Sequence, residues 1–386
     1  MSIAHLLTLA CLSVAACAQP PDEVVAHWRL QAELRVGGSE AGPAYEFTEL
    51  SQVVATANAV LVRQSAYQEL RVFDLAGIYQ RTIGRAGGGP GEFKGMWAFG
   101  VYGDTVWTLD FALRRVSLFL TSGELLTTVT FEAVTPTLGE NGNLFATYPM
   151  ARQRDGVLLG FGGTSGQAMA AGRVRAMPIL RMSPAGLTSD TLGWLPVTHS
   201  NMILKSSVGT SYHDQPFNDS PLPEYAANQQ RVYVIDRYAA SNGTASYGVV
   251  AIGSDGDTAW VRSYPYLPLP MDRAVADSVQ KRMYRMYGVR YPQSMIDDSL
   301  YIPKFQPPVS EATAGEDGTL WLRREKWAPT TKFDVLDAKG QLLAQVEAGR
   351  SVRIRWVSGT TAWGQELDEN DVPALVRYRI IKEGVR

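Results

Sequence analysis

Short apolar runs separated by glycine-bearing turns recur along most of this chain. In one such unit, residues 71–74 and 78–83 have the composition of strands, and the turn between them contains Gly77. Glycine suits this position because two-residue hairpin turns need positive φ, which is costly for residues with a Cβ. The same strand–turn–strand pattern recurs with a glycine in the turn at Gly123, Gly186, Gly256 and Gly340. The pattern therefore predicts a series of β-hairpins.

A second landmark is an apolar pair on a strand, in which the second residue is Leu, Tyr or Trp. The six copies are Val60-Leu61, Val106-Trp107, Val157-Leu158, Val232-Tyr233, Leu320-Trp321 and Ala362-Trp363. Their second members are 46, 51, 75, 88 and 42 residues apart. A base period in the forties is typical of four-stranded propeller blades, and the two long intervals indicate insertions. The sequence predicts an all-β fold: one six-bladed β-propeller of antiparallel four-stranded blades over residues 26–386.

The two ends of the chain are predicted to complete one blade together. The sixth unit has a third strand at 375–381 but no fourth strand before the chain stops at Arg386. The unassigned segment 26–36 alternates apolar and polar residues and is long enough for the missing strand. Pairing of 26–36 with 375–381 would cover an open sheet edge and offset the entropy cost of closing the ring.

Several motifs carry a resemblance to a known family. They are the run Ile83-Gly84-Arg85 to Gly89-Pro90-Gly91-Glu92-Phe93, the Asp-Gly-Thr-Leu-Trp of 317–321 and the closing Val-Arg-Tyr-Arg of 376–379. With these motifs the chain resembles the NHL-like six-bladed β-propeller family of bacterial secreted proteins and lipoproteins. The resemblance implies the fold and a location outside the cytoplasm. The insertions of blades three and four depart from the family pattern, because the glycine–proline exit is not repeated there.

Four long segments interrupt the regular repeat. Because they all follow a second or a fourth strand, antiparallel topology predicts that they emerge on one face, above blades three and four. These segments are 162–175, 196–230, 237–246 and 265–308. Within the longest one, residues 272–287 are predicted to form a helix with Asp272 as N-cap and Gly288 at its end. Its predicted apolar stripe consists of Val275, Val279, Met283, Met286 and Tyr287.

The N-terminal segment is typical of a secreted protein. Residues 1–16 form an apolar leader too short to cross a bilayer, and small residues precede Cys17 as in a bacterial lipobox. We expect a signal peptide at 1–16, lipid attachment at Cys17, a tether over 17–25 and a lipid-anchored protein of the bacterial cell envelope, on its periplasmic or outer-surface side. The alternative is an ordinary secretory signal in which Cys17 has no role. Both cysteines of the chain lie in this leader, so no thiol is left for a zinc cluster or a nucleophile.

Charge gives little indication of a partner. The chain has 36 basic and 38 acidic residues, spread evenly, for a formal net charge of −2. No basic patch is visible, so we expect no nucleic-acid partner, and membrane contact only through the lipid anchor. We expect a monomer whose partner is an envelope protein, a peptide or a glycan.

The chemistry-bearing residues form no recognisable catalytic spacing. His213 and Asp214, with Asp219 nearby, are the best polar cluster, but their spacing matches no closed zinc pattern. Arg237 and Tyr238 begin another of the insertions. These four residues, His213, Asp214, Arg237 and Tyr238, are the candidate ligand-binding residues, and no metal or other cofactor is predicted. The sequence favours a binding or scaffold module whose ligand face is built by the insertions. The alternative is a metal-dependent propeller enzyme of the lactonase or lyase type.

Overall fold

The regular secondary structure is almost entirely β-strand in the parts of the chain that its computed structural model describes. These are residues 25–38, 42–131, 137–138, 143–144, 146–163, 168, 174–185, 188–197, 201–207, 209–240 and 245–383. Cys17, the leader and the hairpin glycine at 186 lie outside the described residues.

Six four-stranded antiparallel blades follow one another along the chain after a first strand, β1 (Ala26–Gly37), and a 3-10 turn (Pro43–Tyr45). The first two blades contain β2 (Val53–Ala55), β3 (Ala59–Gln64), β4 (Glu69–Asp74) and β5 (Tyr79–Ile83), then β6 (Met96–Tyr102), β7 (Thr105–Asp110), β8 (Arg115–Leu120) and β9 (Leu125–Thr130). A two-residue hairpin, β10 (Thr137–Leu138) and β11 (Asn143–Leu144), precedes blade three, which contains β12 (Ala146–Arg152), β13 (Leu158–Gly163), β14 (Ala176–Met182) and β15 (Thr188–Pro196).

The second half continues the same plan with larger links between blades. A hairpin of β16 (Met202–Ser206) and β17 (Gly209–His213) leads to blade four, with β18 (Leu222–Ala226), a 3-10 turn (Ala227–Gln229), β19 (Arg231–Asp236), β20 (Ala245–Gly253) and β21 (Thr258–Tyr266). Helices α1 (Arg273–Tyr287) and α2 (Gln293–Ser299) precede blade five, with β22 (Val309–Ala314), β23 (Leu320–Arg324), β24 (Thr331–Leu336) and β25 (Leu342–Ala348). Blade six has β26 (Arg353–Ser358), β27 (Thr361–Leu367) and β28 (Pro373–Lys382).

Strand β1 closes the ring, as the sequence predicts. It pairs antiparallel with β28 from Trp28↔Lys382 to Gly37↔Ala374 and so supplies the fourth strand of blade six. It also pairs in parallel with β25, from Ala26↔Ala344 to Arg29↔Glu347, which joins blades five and six into one eight-stranded sheet. This second pairing was not predicted.

The hydrophobic core lies between adjacent blades. Six clusters of buried side chains each fill the space between one blade and the next. Trp107, Trp321 and Trp363 occupy equivalent second strands, as predicted, and each is at most 4% exposed. Because each blade shares its apolar faces with two neighbours, the repeat folds as one closed unit.

The links after second and fourth strands emerge on the same side of the ring, which we call the insertion face. The long links 164–175, 197–221, 237–244 and 267–308 are all of these two kinds, so the predicted one-sidedness follows from the strand order. Turns between first and second strands lie on the opposite face. The long links therefore all lie on one face of the ring, and, among the described residues, the other face carries only turns.

The predicted helix is confirmed, with two differences in detail. Helix α1 begins after Asp272, whose side chain accepts hydrogen bonds from the Ala274 and Val275 amides. Its buried residues are Ala276, Val279 and Met283, whereas Met286 of the predicted stripe is 58% exposed. Gly288 follows the helix with φ of −63°, so it supplies no left-handed cap. Helix α2 was not predicted, because seven residues after a proline give too short an apolar period.

Candidate functional site

The glycine-rich link between blades one and two is stabilised by the chain itself. The Glu92 carboxylate accepts a hydrogen bond from the Gly89 amide at 2.8 Å and pairs with Arg85 at 2.7 Å. These two contacts, the amide first, lower the pKa of Glu92. Arg115 donates to the Gly89 and Glu92 carbonyls at 2.7 and 2.6 Å. The Gly89 amide thus binds a carboxylate of the same loop, and the loop acts as a connection between blades.

A channel lies at the centre of the ring. Residues from the first strands of all six blades line it, and its volume is about 780 Å³. Ion-forming side chains on its wall include Glu49, Arg63, Glu224 and Arg355, and apolar ones include Trp97. The channel therefore combines charge with an aromatic surface, which is the composition of a ligand site.

Positive side chains gather at the insertion-face end of this channel. Glu311 on β22 receives Arg323 and Arg353 at its Oε1, each at 3.4 Å, and Arg355 at its Oε2 at 3.1 Å. Lys326, in the loop after β23, adds a fourth cation close enough to influence the same carboxylate. We call Arg323, Arg353, Arg355 and Lys326 around Glu311 the cationic cluster. It contains four cations and one carboxylate.

The pKa shifts within the cationic cluster follow from its crowding. Burial alone would raise the pKa of Glu311, but Arg355, Arg353 and the other cations outweigh it, and the net shift is downward. Burial lowers the pKa of Arg355, with Arg353 adding to the shift and Glu311 opposing it. Burial and the adjacent Arg353 also lower the pKa of Lys326. Arg355 and Lys326 are thus partly dehydrated and lie close to other cations.

Two arginines of the channel wall are held in fixed positions by backbone carbonyls. Arg355 donates from Nε to the Leu50 carbonyl at 3.0 Å, and Arg63 donates to the Met96 carbonyl at 2.8 Å. Arg63 also donates to the Ser51 hydroxyl at 2.7 Å. Anchored guanidinium groups lose less conformational freedom when a ligand binds, so these side chains are preorganised.

Glu224 lies farther along the channel, on β18. Its Oε1 accepts a hydrogen bond from the Ala314 amide at 3.1 Å. Burial raises the pKa of Glu224 to about 7, although the Ala314 amide and Arg355 oppose the shift. The carboxyl group can therefore gain or lose a proton near neutral pH.

Aromatic side chains line the opposite wall. Trp97 on β6 is 53% exposed, and its Nε1 donates to the Met150 sulfur at 3.1 Å. Elsewhere in blades two and three, Phe111, Tyr148 and Phe161 form a stack with ring centroids 4.8 and 5.1 Å apart. An indole fixed at one edge offers a flat apolar face to whatever enters the channel.

The first pair of sequence candidates lies in the hairpin below α1. His213 ends β17, where its Nε2 is 3.0 Å from the Ser211 hydroxyl and its ring contacts Tyr287 with centroids 4.4 Å apart. Asp214 follows it and is exposed. His213 therefore helps to pack the hairpin against the helix.

The second pair begins the loop after β19. Arg237 donates to the Ser220 carbonyl at 2.8 Å and to the Val309 carbonyl at 3.2 Å, and burial lowers its pKa against the opposing charge of Asp219. Tyr238 is 39% exposed. The structure thus gives this pair different neighbours from His213 and Asp214, and the role of all four as ligand contacts stays a prediction.

Sequence reasoning missed the cationic cluster. Its members come from second and first strands of blades five and six, and the ring rather than sequence proximity brings them together. One signal was present: Arg353 and Arg355 alternate on a short strand, which places two charges on one side of a strand.

The described residues contain neither a candidate metal centre nor a helix able to span a membrane. Over these ranges, His, Cys, Asp and Glu side chains nowhere form a group of three or more suited to a metal ion. Neither described helix has the length and apolar character required to cross a bilayer.

Comparisons with known proteins confirm the resemblance to six-bladed propellers. Residues 43–156 match the DUF5128 family, described as a 6-bladed beta-propeller. A DUF4221 family member from Bacteroides vulgatus is 11% identical, with 92% of this chain and 99% of that chain covered and a TM-score of 0.50. At this identity the likeness shows the fold alone.

Two further solved structures have lower scores. A Bacteroides fragilis protein whose name describes it as exported is 13% identical over 92% of this chain and 96% of that chain, with a TM-score of 0.42. Regucalcin from Agrobacterium tumefaciens, a calcium-binding protein, is 11% identical over 93% of this chain and 98% of that chain, also with a TM-score of 0.42. Among curated proteins, no sequence match was found.

Proposed function

We propose that this protein is an extracytoplasmic, lipid-anchored β-propeller that acts as a binding or scaffold module, with its ligand face built by the insertions of blades three and four. The observation that carries the proposal is the strand order, which directs every long link to the insertion face, next to one mouth of the channel. Loops on a rigid scaffold are the usual place for binding. The partner that we propose is an envelope protein, a peptide or a glycan.

The insertions form a packed layer, which supports this role. Met202 and Leu204 of the β16–β17 hairpin are fully buried against Met283 of α1 and Ile296 of α2. A second cluster joins α1 to blade five through Phe217 and Trp327, whose rings are 4.9 Å apart. A binding face fixed by packing needs little reordering when a partner binds.

The two ends of the longest insertion lie side by side. The Met271 amide donates to the Lys304 carbonyl at 3.0 Å, and the Gln306 amide donates to the Leu269 carbonyl at 2.8 Å. Residues 272–303 can therefore be replaced by a two-residue Asn-Gly turn without stretching the chain. Tyr264 and Tyr266, which are 4% and 8% exposed in the core between blades four and five, stay in place.

The replacement provides the test of the proposed function. We expect the native protein to capture an envelope component in a pull-down from its native membrane, and the 272–303 replacement to lose that capture while its circular dichroism spectrum stays β-rich. A matched control replaces exposed Asn58, in a turn on the opposite face, with Asp and should leave capture unchanged. Equal capture by the replaced and native proteins would refute the insertion face as the ligand face.

A metal-dependent enzyme of the lactonase or lyase type is the alternative. One observation favours chemistry in the channel: Glu224 has a pKa of about 7, a value suited to proton transfer near neutral pH. Elemental analysis of purified protein distinguishes the two proposals. A stoichiometric divalent metal, lost together with a hydrolase or lyase activity in the Glu224→Gln variant, would favour the enzyme over the binding module.

A further inference from the structure

We propose that the cationic cluster, at the insertion-face end of the channel, is a binding site for an oxyanion group, either a carboxylate or a phosphate, on the ligand of this protein. This inference rests on the proposed binding function and specifies the chemistry of its ligand. Three observations carry it: unbalanced charge, unused donors and preorganised geometry.

The charge of the cluster is not balanced from within. Four cations face one carboxylate, and Glu311 divides its two oxygens among three guanidinium groups at 3.1 to 3.4 Å. Optimal charge-assisted contacts are shorter, about 2.7–2.9 Å, so none of the three pairs is optimal. Along the rest of the cavity, Arg63 adds a fifth cation, and Glu49, Glu224 and Glu316 add three carboxyl groups; that of Glu224 is partly neutral near pH 7. Positive charge therefore exceeds negative charge at this mouth.

Several donors of the cluster are unused among the described residues. Arg323 is 6% exposed, and its buried Nε has no hydrogen-bond partner. Arg353 makes only its contact with Glu311, and its side chain is 36% exposed, which leaves part of it open to solvent. In Arg355, Nε donates a hydrogen bond to the Leu50 carbonyl and Nη1 donates one to Glu311, whereas Nη2 donates none among the described residues. A buried donor without a partner is costly, and a bound oxyanion would remove that cost.

The geometry favours an oxyanion over a neutral ligand. Planar guanidinium groups present paired donors that match the two oxygens of a carboxylate or a phosphate. Arg355 is fixed by the Leu50 carbonyl, and Arg353 lies two residues before it on the same strand. In this partly dehydrated site, one added anion would attract all four cations and relieve their mutual repulsion. A neutral ligand would do neither.

Binding of two probes tests the site in the full-length protein by isothermal titration calorimetry. D-galacturonate carries a carboxylate and inorganic phosphate carries a phosphate group, so the two probes distinguish the two sources of the oxyanion, and neutral D-galactose is the control for the sugar ring. We expect one or both anions to bind, D-galactose not to bind, and the affinity to fall as salt is raised from 50 to 200 mM. Absence of binding by both anions would overturn the proposal.

Three variants distinguish a specific site from general charge. Arg353→Gln should weaken anion binding about tenfold, since one charge-assisted contact is lost. Glu311→Gln should tighten it several-fold, because the internal competitor is removed. Arg262→Gln, on the exposed outer strand of blade four, makes the same charge change away from the channel and should have no effect.

The outcomes separate this inference from the proposed function. Equal anion binding by Arg353→Gln and the native protein, or equal weakening by Arg262→Gln, would show non-specific charge and overturn the site. Should Glu311→Gln fail to fold, the comparison of Arg353→Gln with Arg262→Gln decides alone. Capture of an envelope component that depends on residues 272–303, with no anion binding, would remove the oxyanion site and leave the binding module standing.

Discussion

Glu224 illustrates how the ring alters a single side chain. On an exposed strand its carboxyl group would keep its ordinary pKa of 4.5, but burial in the channel wall raises that pKa to about 7. A carboxyl group that is harder to ionise in the folded protein than in the unfolded chain makes stability depend on pH. The direction of that dependence follows from the sign of the shift.

The Glu224→Gln variant should lack this dependence of stability on pH, so comparing it with the native protein should reveal the contribution of Glu224. Below pH 4.5 both states of Glu224 are protonated; between pH 4.5 and 7 only the unfolded chain releases the proton, so native stability falls as pH rises and levels off above 7. Glutamine keeps the Ala314 contact without ionising. In urea unfolding from pH 4 to 8, the free energy of unfolding of the variant should rise relative to that of the native protein by on the order of 2 kcal/mol. This is less than the full pKa shift would give, because the carboxyl group faces channel water. Parallel profiles would contradict the raised pKa.

Trp321 is the residue-scale test of how the blades are held together. Its indole is 1% exposed, its centroid is 5.9 Å from that of Phe333 and 6.4 Å from that of Trp28, and it thus joins blade five to the closing strand. Trp321→Ala should lower the free energy of unfolding by about 3–5 kcal/mol, through lost burial and the cavity left behind. Trp194→Ala, at a site 40% exposed, is the matched control and should cost less than about 1 kcal/mol. Similar losses for both variants in urea unfolding would argue against this packing.

At the scale of elements, strand β1 determines whether the ring is closed. Its twelve residues pair with β28 on one edge and with β25 on the other, so removing it would expose two strand edges at once. Exposed edges promote pairing between molecules, and the closing strand therefore protects against aggregation as well as unfolding.

A disulfide across this closure tests the register. Gln31 and Arg379 face each other in the antiparallel pair and both side chains are exposed. Cysteines at 31 and 379 should form a bond on mild oxidation, because opposing residues in such a pair have suitable Cα separations. The bond should add on the order of 3 kcal/mol to stability by restricting the unfolded chain. Peptide mass spectrometry identifies the 31–379 link; a pair at 31 and 262 is the control, and a link there instead would contradict the register.

The elements differ in how far the sequence specifies them. Second strands were located correctly because each carries an apolar pair whose second residue is large, which reflects the blade-to-blade core directly. The parallel contact of β1 with β25 left no signal, since it is made by backbone groups at the end of a strand. The cationic cluster was missed for a different reason: Glu311 and Arg355 are 44 residues apart and meet only when the first strands converge on the channel.

At the scale of the whole molecule, the lipid anchor remains a prediction about the leader. Mass spectrometry of the mature protein should find Cys17 as the first residue, carrying acyl chains, and Cys17→Ser should move the protein from the membrane fraction to the soluble fraction. Two or more acyl chains hold a protein at a bilayer far better than one, so no spanning helix is required. An unmodified N-terminus at Ala18 or beyond would contradict the anchor.

The central claim is that ligand binding takes place on the insertion face, and site-specific photo-crosslinking in the native envelope tests it most directly. p-Benzoylphenylalanine replaces Val289, which is 93% exposed between α1 and α2, in one protein and exposed Asn58 on the opposite face in another. We predict that irradiation produces a discrete adduct from position 289 and none from position 58. Adducts from position 58 alone, or equal adducts from both positions, would contradict the claim.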